Sequence, residues 1–122
     1  MRLEICIDVD DVELAVEFYG RGLGLAVVEQ HPDWAQLELD EQTFWIMKVA
    51  PGPEGPITRS TGRHWTPIHL DFLVGDVDQA VERALAAGGR LDRPIIRNPE
   101  RADLANLTDP AGNGVDLVQR HK

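Results

Sequence analysis

The sequence predicts an α+β fold of two tandem βαβββ modules. Three observations lead there. The first is an internal repeat, because LEICIDVDDVELAVEFYGRGLG at 3–24 lies without a gap over IHLDFLVGDVDQAVERALAAGG at 68–89. Asp11-Val12 falls on Asp76-Val77, Ala15-Val16-Glu17 on Ala80-Val81-Glu82, and Glu4 on His69. A match of that length within one short chain argues for two copies of one supersecondary unit. The second is a switch of period inside each copy, from alternation to helical spacing. The third is that 122 residues with 43% hydrophobic content suffice for one packed domain.

The elements follow in order. Leu3, Ile5, Ile7 and Val9 alternate with Glu4, Cys6 and Asp8, the period of a strand with one face against a helix. Asp10 or Asp11 can cap the helix, Val12, Ala15, Val16 and Tyr19 recur at helical spacing, and Gly22 and Gly24 end it. Strand-like runs at 25–30, 34–39 and 43–49 are separated by His31-Pro32-Asp33 and Asp40-Glu41-Gln42. The second copy repeats the order: a strand at 68–74, a helix from a cap near Gly75-Asp76 to Gly88, then strands around 90–97, 102–108 and 114–120. The expected organisation is a first module at 1–50, a linker or lid at 51–66 and a second module at 67–122, one domain overall. The linker, PGPEGPITRSTGRHWT, has no usable period and carries Arg59, Arg63 and His64 in an acidic chain, either as scattered solvated charge or as positive charge over an anionic ligand.

Charge and composition exclude whole classes of function. A formal charge of -9 makes nucleic acid or an anionic membrane a poor partner, since binding those relies on Lys and Arg neutralising phosphates. The single cysteine, Cys6, rules out an internal disulfide, no signal peptide is evident, and no apolar run approaches the roughly 20 residues of a membrane span. The expectation is a cytoplasmic protein.

The segments DVDDVELAVEFYGRGLGL at 8–25, HLDFLVGDVDQAVERALAAGG at 69–89 and LTDPAGNGVDLVQ at 107–119 resemble the vicinal oxygen chelate superfamily, which includes glyoxalase I, bleomycin and fosfomycin resistance proteins and extradiol dioxygenases. The resemblance covers nearly the whole chain. It implies that the modules form a curled mixed sheet around a cavity, and it implies a small-molecule ligand, a homodimer, and a divalent metal held by side chains from the first and fourth strands of each module. Carried over residue by residue, those positions are Glu4, Met47, His69 and Asp116. Met is a poor ligand for hard or borderline divalent metals, so one imidazole and two carboxylates remain, the count of a facial triad for Fe, Mn, Ni, Co or Zn.

Each site residue also has a plainer reading. His69 is either a ligand or a hydrogen-bonded interior residue; Glu4 is a ligand, a base or a partner of His69. Asp116 interrupts an apolar strand and asks for a partner, or belongs to a polar outward face. Cys6, Trp45 and Met47 line the cavity or are core, and Arg63 and Trp65 stand in the linker where they can meet a ligand. His64 and His69 are not a metal pair by spacing, Ser60 has no triad around it, and Asp109 to Asn113 is turn chemistry. Two functions follow. In one, a metal held by Glu4, His69 and Asp116 supports lyase, isomerase or dioxygenase chemistry, with Glu4 or Asp116 moving the proton. The alternative is a metal-free protein that sequesters an antibiotic or another aromatic, stacking it on Trp34, Trp45 and Trp65 with Arg59 or Arg63 as charge handle.

Overall fold

The computed structural model describes residues 1–50, 52–54, 57–59, 62, 63, 66 and 68–121. The first copy runs β1 (Glu4–Val9), α1 (Val12–Val16), β2 (Ala26–Gln30), β3 (Trp34–Leu39) and β4 (Gln42–Lys48). A hairpin of β5 (Gly52–Glu54) and β6 (Ile57–Arg59) follows. The second copy runs β7 (Leu70–Leu73), α2 (Val77–Ala86), β8 (Arg90–Leu91), β9 (Ala102–Thr108) and β10 (Gly114–Arg120). The strands form two four-stranded mixed sheets of the same order, β1-β4-β3-β2 and β7-β10-β9-β8. In each, the first strand of the copy lies parallel to the fourth and the remaining pairs are antiparallel. The repeat read from the sequence is thus a repeat of architecture.

The helix caps are chemically identical in the two copies. The Asp11 carboxylate accepts from the backbone N–H of Leu14 and that of Asp76 from Gln79, both at 3.0 Å, each satisfying an otherwise orphaned donor of the first turn. The copies then diverge. After Val16 the first helix widens into a π-helix, Glu17–Gly22, where Leu23 N–H reaches back five residues to Phe18 C=O at 3.0 Å. The wider turn sends consecutive residues Phe18 and Tyr19 into the interior, with rings edge to face at 4.9 Å.

The helices meet along a seam of small residues. A Cβ on Gly22 would stand 3.0 Å from that of Ala87, and one on Gly89 would stand 2.4 Å from Phe18 Cε1. One core serves both copies: it includes Ile7, Val9, Phe18, Leu37 and Ile46 from the first and Phe72, Val77, Ala84, Leu107 and Leu117 from the second. Phe44 and Phe72 stack across it at 6.0 Å. A polar tie joins the copies as well. Tyr19 Oη donates to Asp109 Oδ2 at 2.6 Å, and Asn113 Nδ2 donates to Asp8 C=O at 3.1 Å.

Two segments depart from the sequence reading. The expected strand at 90–97 pairs only through Leu91 and resumes as a single bridge, Ile96 with Leu104, because Pro94 has no N–H to give the ladder. The segment read as a featureless linker contains the β5–β6 ribbon, where Pro53 pairs with Thr58 in a two-stranded edge that tolerates a missing donor.

Candidate functional site

The second sheet carries a row of polar residues on its outward face. Ladder register puts Asp116 of β10 between Asp71 of β7 and Asn106 of β9, while their neighbours Phe72, Leu117 and Ala105 are buried on the opposite face. His69 shares the side of Asp71 because side chains two apart on a strand point the same way. Its Nδ1 lies 2.7 Å from Asp71 Oδ1 and 3.2 Å from Asp116 Oδ2. Two carboxylates directly opposite one another repel, and a donor or cation between them offsets the cost. The imidazole occupies that position, with Nδ1–H as the donor since both neighbours accept.

Asn106 extends the network. Its Nδ2 donates to Asp116 Oδ1 and its Oδ1 accepts from Arg93 Nε, both at 2.7 Å. Beside it, Asp92 accepts from Arg63 Nε at 3.0 Å and from Thr108 Oγ1. Arg63 rests over bare backbone, for a Cβ on Gly114 would stand 2.9 Å from its Nη2. Together these residues line a hollow of about 370 Å³ that has His69, Asp92, Asn106 and Asp116 among its walls.

The donor set fits a divalent cation. One ligand atom each from His69, Asp71 and Asp116 lies within 4.8 Å of the others, and one imidazole with two carboxylates suits Mn, Fe, Co, Ni or Zn. Asp116 is mostly covered, its side chain 16% exposed, whereas those of His69 and Asp71 are 57% and 47% exposed, so one side stays open to an incoming molecule.

The sequence model of the glyoxalase-like domain family matches residues 4–118, almost the whole chain. The chain belongs to that family. It is a glyoxalase-like protein of the vicinal oxygen chelate superfamily. None of the curated proteins matches it. Among solved structures it is similar to a glyoxalase-related enzyme from Fulvimarina pelagi, with 21% identity, a TM-score of 0.74 and coverage of 98% of this chain and 88% of that one. It is also similar to a glyoxalase family protein from Bacillus cereus, with 15% identity, a TM-score of 0.76 and coverage of 100% and 95%. For a lactoylglutathione lyase from Agrobacterium tumefaciens the values are 22%, 0.68, 98% and 92%. At these identities the likeness establishes the fold and leaves the chemistry to the site.

Of the residues read from the sequence, the glyoxalase-like fold brings His69 and Asp116 together and adds Asp71. Glu4 stands on the first sheet, where its Oε2 accepts from Trp45 Nε1 at 2.8 Å and its Oε1 lies 3.5 Å from Arg2. Cys6 is exposed, Met47 is 37% exposed, and Trp45 packs against Trp34 with centroids 5.9 Å apart. Arg63 lines the hollow; Trp65 and His64 lie outside the described residues. Register also refines the match between copies: Trp45 lies opposite Cys6 as Asp116 lies opposite Asp71, so the ladder makes Trp45, not Met47, the counterpart of Asp116. Asp71, Asn106 and Arg93 were missed. The signal for Asp71 was present, a carboxylate in strand alternation with His69.

Proposed function

We propose that this glyoxalase-like protein binds a small, oxygen-bearing molecule in the hollow of its second sheet, at a divalent cation held by His69, Asp71 and Asp116. The observation that carries the reading is the convergence of one imidazole and two carboxylates within 4.8 Å, two of which, His69 and Asp116, line that hollow. A bound divalent ion there supplies Lewis-acid polarisation of neighbouring oxygens, the chemistry of a lyase, isomerase or dioxygenase. The chain's own groups do the rest. Asn106 holds Asp116 in place, and Asp71, the more exposed carboxylate, is the group positioned to accept a proton from a bound molecule.

Calorimetry and metal analysis with Mn(II), Fe(II), Co(II), Ni(II) and Zn(II) test it. About one ion per chain is expected, lost in Asp116→Asn and weakened in His69→Ala and Asp71→Asn. Glu4→Gln should leave binding unchanged; if it abolishes binding, Glu4 belongs to the ligand set after all. Absence of stoichiometric binding for every ion rejects the reading.

A second reading rests on the first sheet, where His31, Trp34 and Trp45 pack in a row of tilted rings, with centroids 4.3 and 5.9 Å apart beside Met47. Such a row can hold a flat ligand without any metal. Quenching of tryptophan fluorescence by planar aromatics, abolished in Trp34→Ala, supports it; no quenching rejects it. By family resemblance we further propose a homodimer, which light scattering on the purified protein checks. Among the described residues no helix is long and apolar enough to cross a membrane.

A further inference from the structure

The hollow contains two arginines that are held differently. Arg63 is paired with Asp92, whose other oxygen is taken by Thr108. Arg93 has no carboxylate partner among the described residues, and its single hydrogen bond there goes from Nε to the neutral amide oxygen of Asn106. What sets it apart is its place: it lines the hollow of the second sheet, so its charge faces the same space as His69 and Asp116. The bond uses Nε alone, so the terminal nitrogens of this hollow-lining side chain have no partner among the described residues.

Asn106 is committed in both directions. Its oxygen can only accept from Arg93 and its nitrogen can only donate to Asp116, so the amide orientation is determined by its neighbours. A continuous chain therefore runs from Arg93 through Asn106 to Asp116, His69 and Asp71. It places a planar fork, complementary to a carboxylate or phosphate, one residue away from the cluster proposed to hold the cation.

We propose that Arg93 is the anion-recognising residue of the hollow and that the ligand is a small organic acid. Its carboxylate or phosphate group lies on Arg93 and its other oxygens face His69, Asp71 and Asp116. The proposal rests on the functional reading above, and it assigns specificity to a side chain outside the cation's ligand set. Neutral molecules of the same size lack the group that Arg93 recognises and bind less tightly.

The test uses malonate, inorganic phosphate and the neutral analogue malonamide, titrated into the Mn(II)-loaded protein and into the metal-free protein. In Arg93→Met we expect malonate or phosphate affinity to fall about tenfold, the loss of one hydrogen-bonded charge pair. Arg93→Lys should recover part of the affinity, whereas Mn(II) affinity, malonamide binding and the unfolding midpoint should not change. A loss confined to malonate identifies a carboxylate ligand, and a loss confined to phosphate identifies a phosphorylated one. If Mn(II) does not bind, the metal-free titration carries the Arg93 test alone, and the cation reading falls only when none of the five ions binds. Anion binding that is equal in wild type and Arg93→Met overturns the proposal, as does a wild type that binds neither anion at millimolar concentration.

Discussion

Tyr19 and Asp109 offer a direct measure of how the two copies are tied. The hydroxyl sits 2.6 Å from Asp109 Oδ2 with the tyrosine 1% and the aspartate 3% exposed. Asp109 accepts three further hydrogen bonds, from the backbone N–H groups of Ala111 and Asn113 and from Asn113 Nδ2, at 2.8, 2.8 and 2.9 Å. Burial, and then the Asp109 charge and hydrogen bond, hold the Tyr19 pKa well above its ordinary value of 10.0. The unfolded chain therefore ionises first. Stability from this pair is complete below pH 10 and declines as pH rises beyond it, because only the unfolded state releases the proton. Tyr19→Phe removes a hydrogen bond to an ionised acceptor while leaving three donors on Asp109, a cost of about 1.5–3 kcal/mol. For a domain of this size that lowers Tm by roughly 6–12 °C. Tyr19 is the chain's one tyrosine, so tyrosinate absorbance reads this group alone. The folded protein should show no tyrosinate until alkaline unfolding begins, and Tyr19→Phe should lack the extra alkaline loss measured by denaturant melts. Reversible ionisation near pH 10 in folded protein, or a Tyr19→Phe cost below about 0.5 kcal/mol, refutes the reasoning.

Three other outcomes can be measured independently. Gly89→Ala drives a Cβ to 2.4 Å from Phe18 Cε1 and 2.9 Å from Ala84 C=O, and should cost about 1–3 kcal/mol or more in urea melts, while Gly75→Ala, whose Cβ meets nothing within 4 Å, should be near neutral. Asp103, held down to about 2 by hydrogen bonds from His121 and then Arg97, contributes stability that is complete above about pH 4 and lost as pH falls through 2; acid melts of Asp103→Asn should lack that limb. Cys6 is exposed and should titrate as one reactive thiol in the native protein without denaturant, whereas a thiol that reacts only on unfolding would contradict its position on the outward face of β1.

The duplication was legible because it is written in features that act locally: alternation in Ile5, Ile7 and Val9, aspartate caps at Asp11 and Asp76, and glycines at the helix ends. Gly24 and Gly88 take φ of +88° and +98°, a region closed to most side chains. The π-helical turn was not legible, since over six residues its period barely separates from that of an α-helix. His69 and Asp116 could be found because a strand disfavours aspartate and the repeat marks position 69. Asn106 and Arg93 could not, because their contacts depend on which residues the β9–β10 ladder sets opposite each other, and that register is fixed by the five residues from Asp109 to Asn113. A shift of one residue there would turn Asp116 toward the core.

The two sheets carry the same ladder with different chemistry, and the difference explains why, among the described residues, the imidazole–carboxylate cluster stands on the second. Glu4, Cys6, Gln36 and Trp45 occupy the rungs that His69, Asp71, Asn106 and Asp116 occupy in the second copy. In both, the fourth strand reaches across to the residue at the head of the first: Trp45 donates to Glu4, and Asp116 lies against His69. In the first sheet the donor is a large indole that packs at a tilt against Trp34 and satisfies the carboxylate without any ion. In the second, the same rung holds a short carboxylate, with Asp71 opposite it, and the volume an indole would fill is open. Two carboxylates on facing rungs beside an open space call for a donor or cation between them, whereas a satisfied carboxylate beside an aromatic row calls for none. The same backbone thus presents one face suited to charge and one suited to flat apolar groups.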